Sequence, residues 1–215
     1  DLNAEELALV FEAYCNRFNA LEKKHEFVYL FKNHGLKSGA SIPHEHAQIM
    51  GLHFTPELAE RELAHYAYHR KKTGKCFYCT LAKEKKVLAE NENAVAVIPA
   101  FGRFPFETWV LPKKHAAKMT DLTHGELMDF ALALQEAVKK IFVKTQDYTI
   151  AFHNPPRGKD FHFHTEIYPR IPTWGGIELG TGLIVNSKDA RAALKELTAT
   201  AATSTTSANS TKATN

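Results

Sequence analysis

One order of elements occurs twice in the sequence, and nothing else in it constrains the fold as tightly. Asp1-Leu2 with Glu6-Leu7 opens one amphipathic segment, and Asp121-Leu122 with Glu126-Leu127 opens another. Each is followed by an apolar run, a polar loop and a His-x-His: His44-Glu45-His46 in the first case, His162-Phe163-His164 in the second. The offset between the copies drifts only from 120 to 118 residues. Such a period implies one α+β unit in two copies. The second copy has residues 76–120 ahead of its helix, whereas the first has nothing ahead of its own and starts on Asp1, without Met. The expected division is therefore the back half of a first unit with a linking helix over 1–72, a complete second unit over 73–197, and a disordered Thr/Ala/Ser tail over 198–215.

The local signals agree with that order. Leu7, Val10, Phe11, Tyr14, Phe18 and Leu21 share a helical face over 3–23, with Asn3 and Glu6 spaced as a capping box. Strands are expected at 27–31 and from about His44 to Leu52. A helix should start at Pro56, capped by Thr55, and stop at Gly74. Further strands are expected near 94–98 and 108–111, then a helix over 123–143 behind a second box, Thr123 and Glu126. Strands at 148–153 and 161–168, a Gly-rich turn at 175–182, a short strand at 183–186 and a closing helix from Ser187 to about Leu197 complete the reading. Cys15, on the first helix, reads as core.

Composition narrows the function classes. Twenty-seven Lys and Arg against 24 Asp and Glu leave a net charge of +3, too small and too evenly spread to indicate nucleic acid. No apolar run approaches the roughly 18 residues of a membrane span, and no signal peptide opens the chain, so a cytoplasmic protein is expected. Three cysteines, two of them in Cys76-Phe77-Tyr78-Cys79, argue against a disulfide framework. Twelve histidines carry most of the chemistry.

Residues two apart on a strand share a face, which groups His44, His46 and Gln48, and likewise His162, His164 and Glu166. Phe161, Phe163 and Ile167 would take the opposite, buried face. Cys76, Cys79, His115 and His162 make a tetrahedral zinc set of two thiolates and two imidazoles; a thioredoxin-like redox pair and two inert buried cysteines are the alternatives. Gly39-Ala40-Ser41 ahead of His44-Glu45-His46-Ala47-Gln48 is a small-residue loop whose N–H groups could cradle a phosphate, with an imidazole behind it able to attack phosphorus and Gln48 able to donate to a phosphate oxygen.

These residues resemble the galactose-1-phosphate uridylyltransferase branch of the histidine-triad superfamily, including its nucleotide-sugar phosphorylase relatives. The resemblance runs through Phe31-x-Asn33-x-Gly35, Gly39-x-Ser41-x-x-His44-x-His46-x-Gln48, Thr73-Gly74-Lys75-Cys76-x-x-Cys79, Leu111-Pro112-Lys113-x-His115, His162-x-His164-x-x-x-Tyr168-Pro169 and Gly175-Gly176-Ile177-Glu178-Leu179-Gly180-Thr181-Gly182. It implies an α+β fold of duplicated histidine-triad-like units, mainly antiparallel with flanking helices, the first unit incomplete at its N-terminus. It also implies ping-pong nucleotidyl transfer between a nucleoside-diphosphate hexose and a hexose 1-phosphate in a homodimer. His46 would be the nucleophile, Asn33, Gly39, Ser41 and Gln48 the phosphate contacts, and Glu178 a hexose contact across a subunit interface. His44 would be a zinc ligand of the first unit. In the second unit, His115 and His162 would hold zinc, or iron, with Cys76 and Cys79 or, in another branch, with His164 and Glu62. The galactose enzymes usually carry Cys before the loop Ser and Pro between the histidines; Ala40 and Glu45 stand here, and Ala40 leans toward the phosphorylases. Phosphorolysis of a nucleotide sugar is thus the second reading, and a zinc-stabilised chain without activity of its own the third.

Overall fold

The computed structural model describes residues 2–42, 44–84 and 87–207, and of residues 200–207 only the backbone. Its elements run α1 (Ala4–Glu22), β1 (Phe27–His34), β2 (Ala47–Leu52), α2 (Glu57–Thr73), α3 (Phe77–Leu81), β3 (Ala89–Glu90), β4 (Ala94–Val97), β5 (Thr108–Pro112), α4 (His124–Phe142), β6 (Tyr148–His153), β7 (His164–Pro169), α5 (Gly176–Thr181) and α6 (Ala190–Ser207). The strands form one sheet in the order β2-β1-β6-β7-β5-β4-β3, every neighbour antiparallel. The two copies of the repeat therefore share a single sheet, joined where β1 pairs with β6.

The repeat holds at the level of register. Advancing β1 by 120 residues and β2 by 118 carries one hairpin onto the other, so Leu30 opposite Ile49 becomes Ile150 opposite Ile167. Both long helices begin as their sequences require: Asn3 and Glu6 exchange side-chain and backbone bonds of 2.8 and 2.9 Å, and Thr123 and Glu126 do the same at 2.9 and 3.3 Å.

Helices α1 and α4 cover one face of the sheet, where Phe11, Leu30, Val110, Phe130, Phe152 and Phe163 are buried together. The other face is covered over β4, β5 and β7 by α2 and α3, whose Tyr66 and Tyr78 pack with Val95, Trp109, Leu111 and Phe161. Side chains alternate between these faces, so Tyr29, Phe31 and Asn33 of β1 look toward the α2 side.

Several expectations are corrected. The second strand starts at Ala47, leaving His44 and His46 ahead of it, and the seventh starts at His164. Phe161 lies on the α2 side while Phe163 and Ile167 lie on the α4 side, so they do not share a face. His162, His164 and Glu166 are buried as well, because helices cover both sides of this strand. Thr55 does not cap α2; its hydroxyl donates to Glu26 at 3.0 Å, and Pro56 occupies the cap position. Gly74 does end α2, in the left-handed conformation (φ 70°), its N–H donating to Arg70 O. The Gly-rich segment is a short helix, α5, and 183–186 forms no strand. Asp189, not Ser187, caps α6, accepting from the N–H groups of Arg191 and Ala192. That helix continues to Ser207, ten residues past the expected end, and 208–215 lies outside the described residues. Cys15 is half-buried against the α1–α4 core, and burial pushes its thiol up to about 11.

Candidate active site and metal centre

The β1–β2 ladder ends with Lys32 opposite Ala47. Carried one residue further, its register sets Asn33 opposite His46, on the α2 side of the sheet. The same step in the second hairpin gives His153 opposite His164, the last pair of the β6–β7 ladder. Asn33 Oδ1 accepts from the Thr149 hydroxyl at 3.0 Å, which orients the amide, and its Nδ2 lies on the side of Gly39. Gly39 has φ 86° and closes a short 3₁₀ turn over Leu36–Ser38, a conformation that favours glycine. Ser41, His44 and Gln48 are exposed and His46 is half-buried.

His46 Nδ1 lies 2.7 Å from the carbonyl oxygen of His44. A carbonyl only accepts, so this bond places the proton on Nδ1 and leaves Nε2 of the neutral ring with its lone pair. His164 makes the same bond to His162 O at 3.0 Å. There the likeness stops, because His164 is fully buried and its Nε2 faces Glu166 at 3.3 Å and Glu62 at 3.4 Å.

Cys76, Cys79, His115 and His162 bring one donor atom each to within 4.8 Å of one another. His162 Nδ1 lies 3.5 and 3.4 Å from the two sulfurs, and His115 Nδ1 lies 3.5 Å from Cys79 Sγ. In a tetrahedron with metal–sulfur bonds of about 2.3 Å and metal–nitrogen bonds of about 2.0 Å, the sulfur–nitrogen edge is about 3.5 Å, so the set fits a tetrahedral ion. The far nitrogen of each ring meets an oxygen: His162 Nε2 is 3.2 Å from Pro112 O and His115 Nε2 is 3.5 Å from Asp160. That arrangement turns Nδ1 inward, as metal-binding imidazoles require. Burial, then the neighbouring His164 and His115, holds His162 down to about 3, hence neutral and free to ligate. The knuckle is compact because Cys76 caps α3, its sulfur accepting from Cys79 N–H at 3.5 Å. His44 belongs to neither of the two groups that bring such donors together among the described residues.

The second group is Glu62, His153, His164 and Glu166. Glu62 and His164 do not complete the cysteine site; they build a separate cluster beside it. Tyr78, from inside the knuckle, donates its hydroxyl to Glu62 at 2.9 Å and stacks on His164 at 4.4 Å. The other Glu62 oxygen is 2.9 Å from His153 Nδ1, while Arg103 donates to both Glu166 (2.8 Å) and the Tyr168 hydroxyl (2.9 Å). Burial disfavours charge on His153, but Glu62 and Glu166 outweigh it and raise the imidazole to about 9. Burial likewise opposes ionisation of Glu166, yet His153, His164 and Arg103 hold it down to about 2. The cluster is a charged, internally satisfied network. His153 and Arg103 were not singled out from sequence, and Tyr168 only as a motif residue with no assigned role; the repeat offset of 120 from Asn33 points to His153.

Beside this network a cleft of about 450 Å³ opens on the α2 side, lined by Tyr29, Met50, Arg103, Tyr168 and Trp174 among others. Glu178, on α5, accepts from the N–H groups of Gly175 (2.9 Å) and Val185 (3.4 Å) and so serves its own segment here.

Residues 26–209 match the family described as galactose-1-phosphate uridyl transferase, C-terminal domain. An ADP-glucose phosphorylase of Arabidopsis thaliana is 30% identical over 184 residues, 81% of this chain and 52% of that protein. A galactose-1-phosphate uridylyltransferase of Thermotoga maritima is 27% identical over 178 residues, 75% and 56% of the two. Among solved structures, the Arabidopsis ADP-glucose phosphorylase with bound ADP-glucose superposes with a TM-score of 0.87 at 26% identity, over 92% of this chain and 67% of that one. A uridylyltransferase superposes at 0.84 with 26% identity, over 93% and 68%. The chain belongs to the galactose-1-phosphate uridylyltransferase family, and it spans about half the length of these curated relatives. Among the described residues no helix is long and apolar enough to cross a membrane.

Proposed function

We propose that this chain carries the nucleotidyl-transfer centre of an enzyme that moves a nucleoside monophosphate between a nucleoside-diphosphate hexose and a second phosphorylated acceptor. The observation that carries this reading is the His46 ring, with Nδ1–H engaged by His44 O and Nε2 left as a nucleophile. His46 Nε2 attacks the α-phosphorus, a phosphorus–nitrogen bond forms, and the bond from that phosphorus to the bridging oxygen breaks. The oxygen leaves with the hexose 1-phosphate. An acceptor phosphate oxygen then attacks the same phosphorus and the phosphorus–nitrogen bond breaks, returning His46 to its starting state. Asn33 and Gln48, with Gly39 and Ser41 in the loop, hold phosphate oxygens, and Glu178 meets the hexose from the partner subunit of a homodimer.

Zinc suits the Cys76, Cys79, His115 and His162 set, because two soft sulfurs and two imidazoles at tetrahedral spacing match its preferences. With four protein ligands such a site keeps no open position, and its part is to tie α3 to the segments after β5 and before β7 that carry His115 and His162.

Phosphorolysis is favoured as the second reading by Ala40 and by the 30% identity to an ADP-glucose phosphorylase. Incubation with UDP-glucose or ADP-glucose, with inorganic phosphate or galactose 1-phosphate as acceptor, separates the two. Beyond the one equivalent per site freed as His46 is nucleotidylated, transfer predicts continued hexose 1-phosphate release only with the sugar phosphate, and phosphorolysis predicts continued release with inorganic phosphate. Release with neither would contradict both.

A further inference from the structure

The nucleophile proposed above lies just outside the sheet that should hold it. β2 begins at Ala47, so no described ladder pair fixes His46, and the described residues from Ala40 to it form no helix or strand. Its one described polar contact, to His44 O, is made within the same segment. A ring anchored only to its own loop would follow every movement of that loop.

Glu45 supplies the missing tie. Continuing the β1–β2 register sets Glu45 opposite His34, on the side of the sheet away from His46, and the side chains meet there as cross-strand partners do. Glu45 Oε1 is 2.9 Å from His34 Nε2, and Oε2 pairs with the Lys32 ammonium. The far end of this clamp is itself fixed. His34 Nδ1 donates to Gln146 O, and the ring lies flat on Tyr148, 4.9 Å between centroids and 6° between planes. Both His34 nitrogens thus meet oxygens, which fixes the orientation of the ring.

The second copy of the repeat shows the same device in apolar form. The residue between its two histidines is Phe163, fully buried on the α4 side with its ring 5.0 Å from Phe130. In each copy, the residue between the histidines is anchored on the α1–α4 side of the sheet, which leaves the second histidine directed to the α2 side.

We propose that Glu45 is a positioning residue, extending the β1–β2 register two residues past its backbone ladder and so holding His46 opposite Asn33. This role rests on the reading of His46 as nucleophile. An exposed ion pair contributes little to stability, so the effect falls on geometry, where a displacement of about 1 Å can slow a reaction about 100-fold.

The test compares the wild type with Glu45→Ala and, from the other end of the clamp, His34→Gln. Histidine-selective ¹⁵N NMR reads the His46 tautomer, assigned with His46→Gln, and hydrogen exchange reads the 44–47 backbone. In both variants the single Nδ1–H form of His46 should give way to a tautomer mixture, and exchange over 44–47 should quicken at least tenfold, with little change in melting temperature. Labelling of His46 by α-³²P nucleotide sugar should slow about tenfold or more, while the half-saturating sugar concentration stays within twofold. An unchanged tautomer and unchanged exchange in both variants would overturn the clamp. If the wild type takes no label, the nucleotidyl-transfer reading fails, and the NMR and exchange arms still decide the role of Glu45.

Discussion

The hairpin β1–β2 and the hairpin β6–β7 are built to one register, and both orient the second histidine of a His-x-His by a bond from Nδ1 to the carbonyl two residues back. They differ in what surrounds the free nitrogen. Around His46 there is a half-open surface with Asn33 opposite and a small-residue loop beside it. Around His164 there are two carboxylates, a stacked tyrosine and a neighbouring metal-type ligand set, all under α2 and α3. A single scaffold has thus been used once to leave the second histidine half-buried and once to enclose its counterpart in a charged network. Asn33 and His153 make the point at one position: an amide that can donate to a phosphate in one copy, an imidazolium locked between carboxylates in the other.

The largest effect should come from the metal set, which has no counterpart among the described residues of the first hairpin. Purified protein should hold one equivalent of zinc, and Cys76→Ser should lose it, with a fall in melting temperature of more than about 10 °C, since structural zinc contributes folding free energy directly. Metal analysis beside calorimetry checks this; full zinc in Cys76→Ser would remove the cysteines from the site.

A smaller effect is expected in the carboxylate network. Glu166→Gln leaves Arg103 and His153 short of a buried counter-charge and should cost about 3–5 kcal/mol in denaturant unfolding. The corresponding change at the exposed Gln48, Gln48→Glu, should cost under about 0.5 kcal/mol.

The smallest effect separates the two hairpins by pH. His153, raised to about 9, contributes stability that is fully present below its unfolded value near 6.5 and is lost as pH rises through 9. Glu166, held at about 2, contributes stability present above the usual carboxylate range and lost as pH falls toward 2. The stability advantage of the wild type over His153→Gln should therefore be full near pH 6 and shrink between pH 6.5 and 10. A constant difference across that range would show that His153 is not held charged by the carboxylates.

The sequence reading reached the parts of the molecule whose signals are local or periodic. Asn3 with Glu6 and Thr123 with Glu126 started the two long helices where expected, and Tyr148–His153 is a strand with the bounds its pattern suggested. Cys76, Cys79, His115 and His162 were legible as a set because two sulfurs at short spacing leave few alternatives, and they do converge. The network around Glu166 was not legible as a whole, since Glu62, Arg103, His153 and Tyr168 come from four separate elements and loops and meet only through tertiary packing. The sequence reading started the last helix at Ser187, whereas the Asp189 carboxylate caps it by accepting from the N–H groups of Arg191 and Ala192. The Gly175–Gly182 segment read as a turn from its glycines, but Glu178 accepting from Gly175 N–H starts a helix there instead.

The proposed nucleophile assignment sets His46 apart from its equivalent, His164. It is tested most directly by incubating the protein with α-³²P UDP-glucose or ADP-glucose, quenching, and locating the label by peptide mass spectrometry. A phosphoramidate is expected on His46, absent in His46→Ala, and none on His164. Label on His164, or label that persists in His46→Ala, would contradict it.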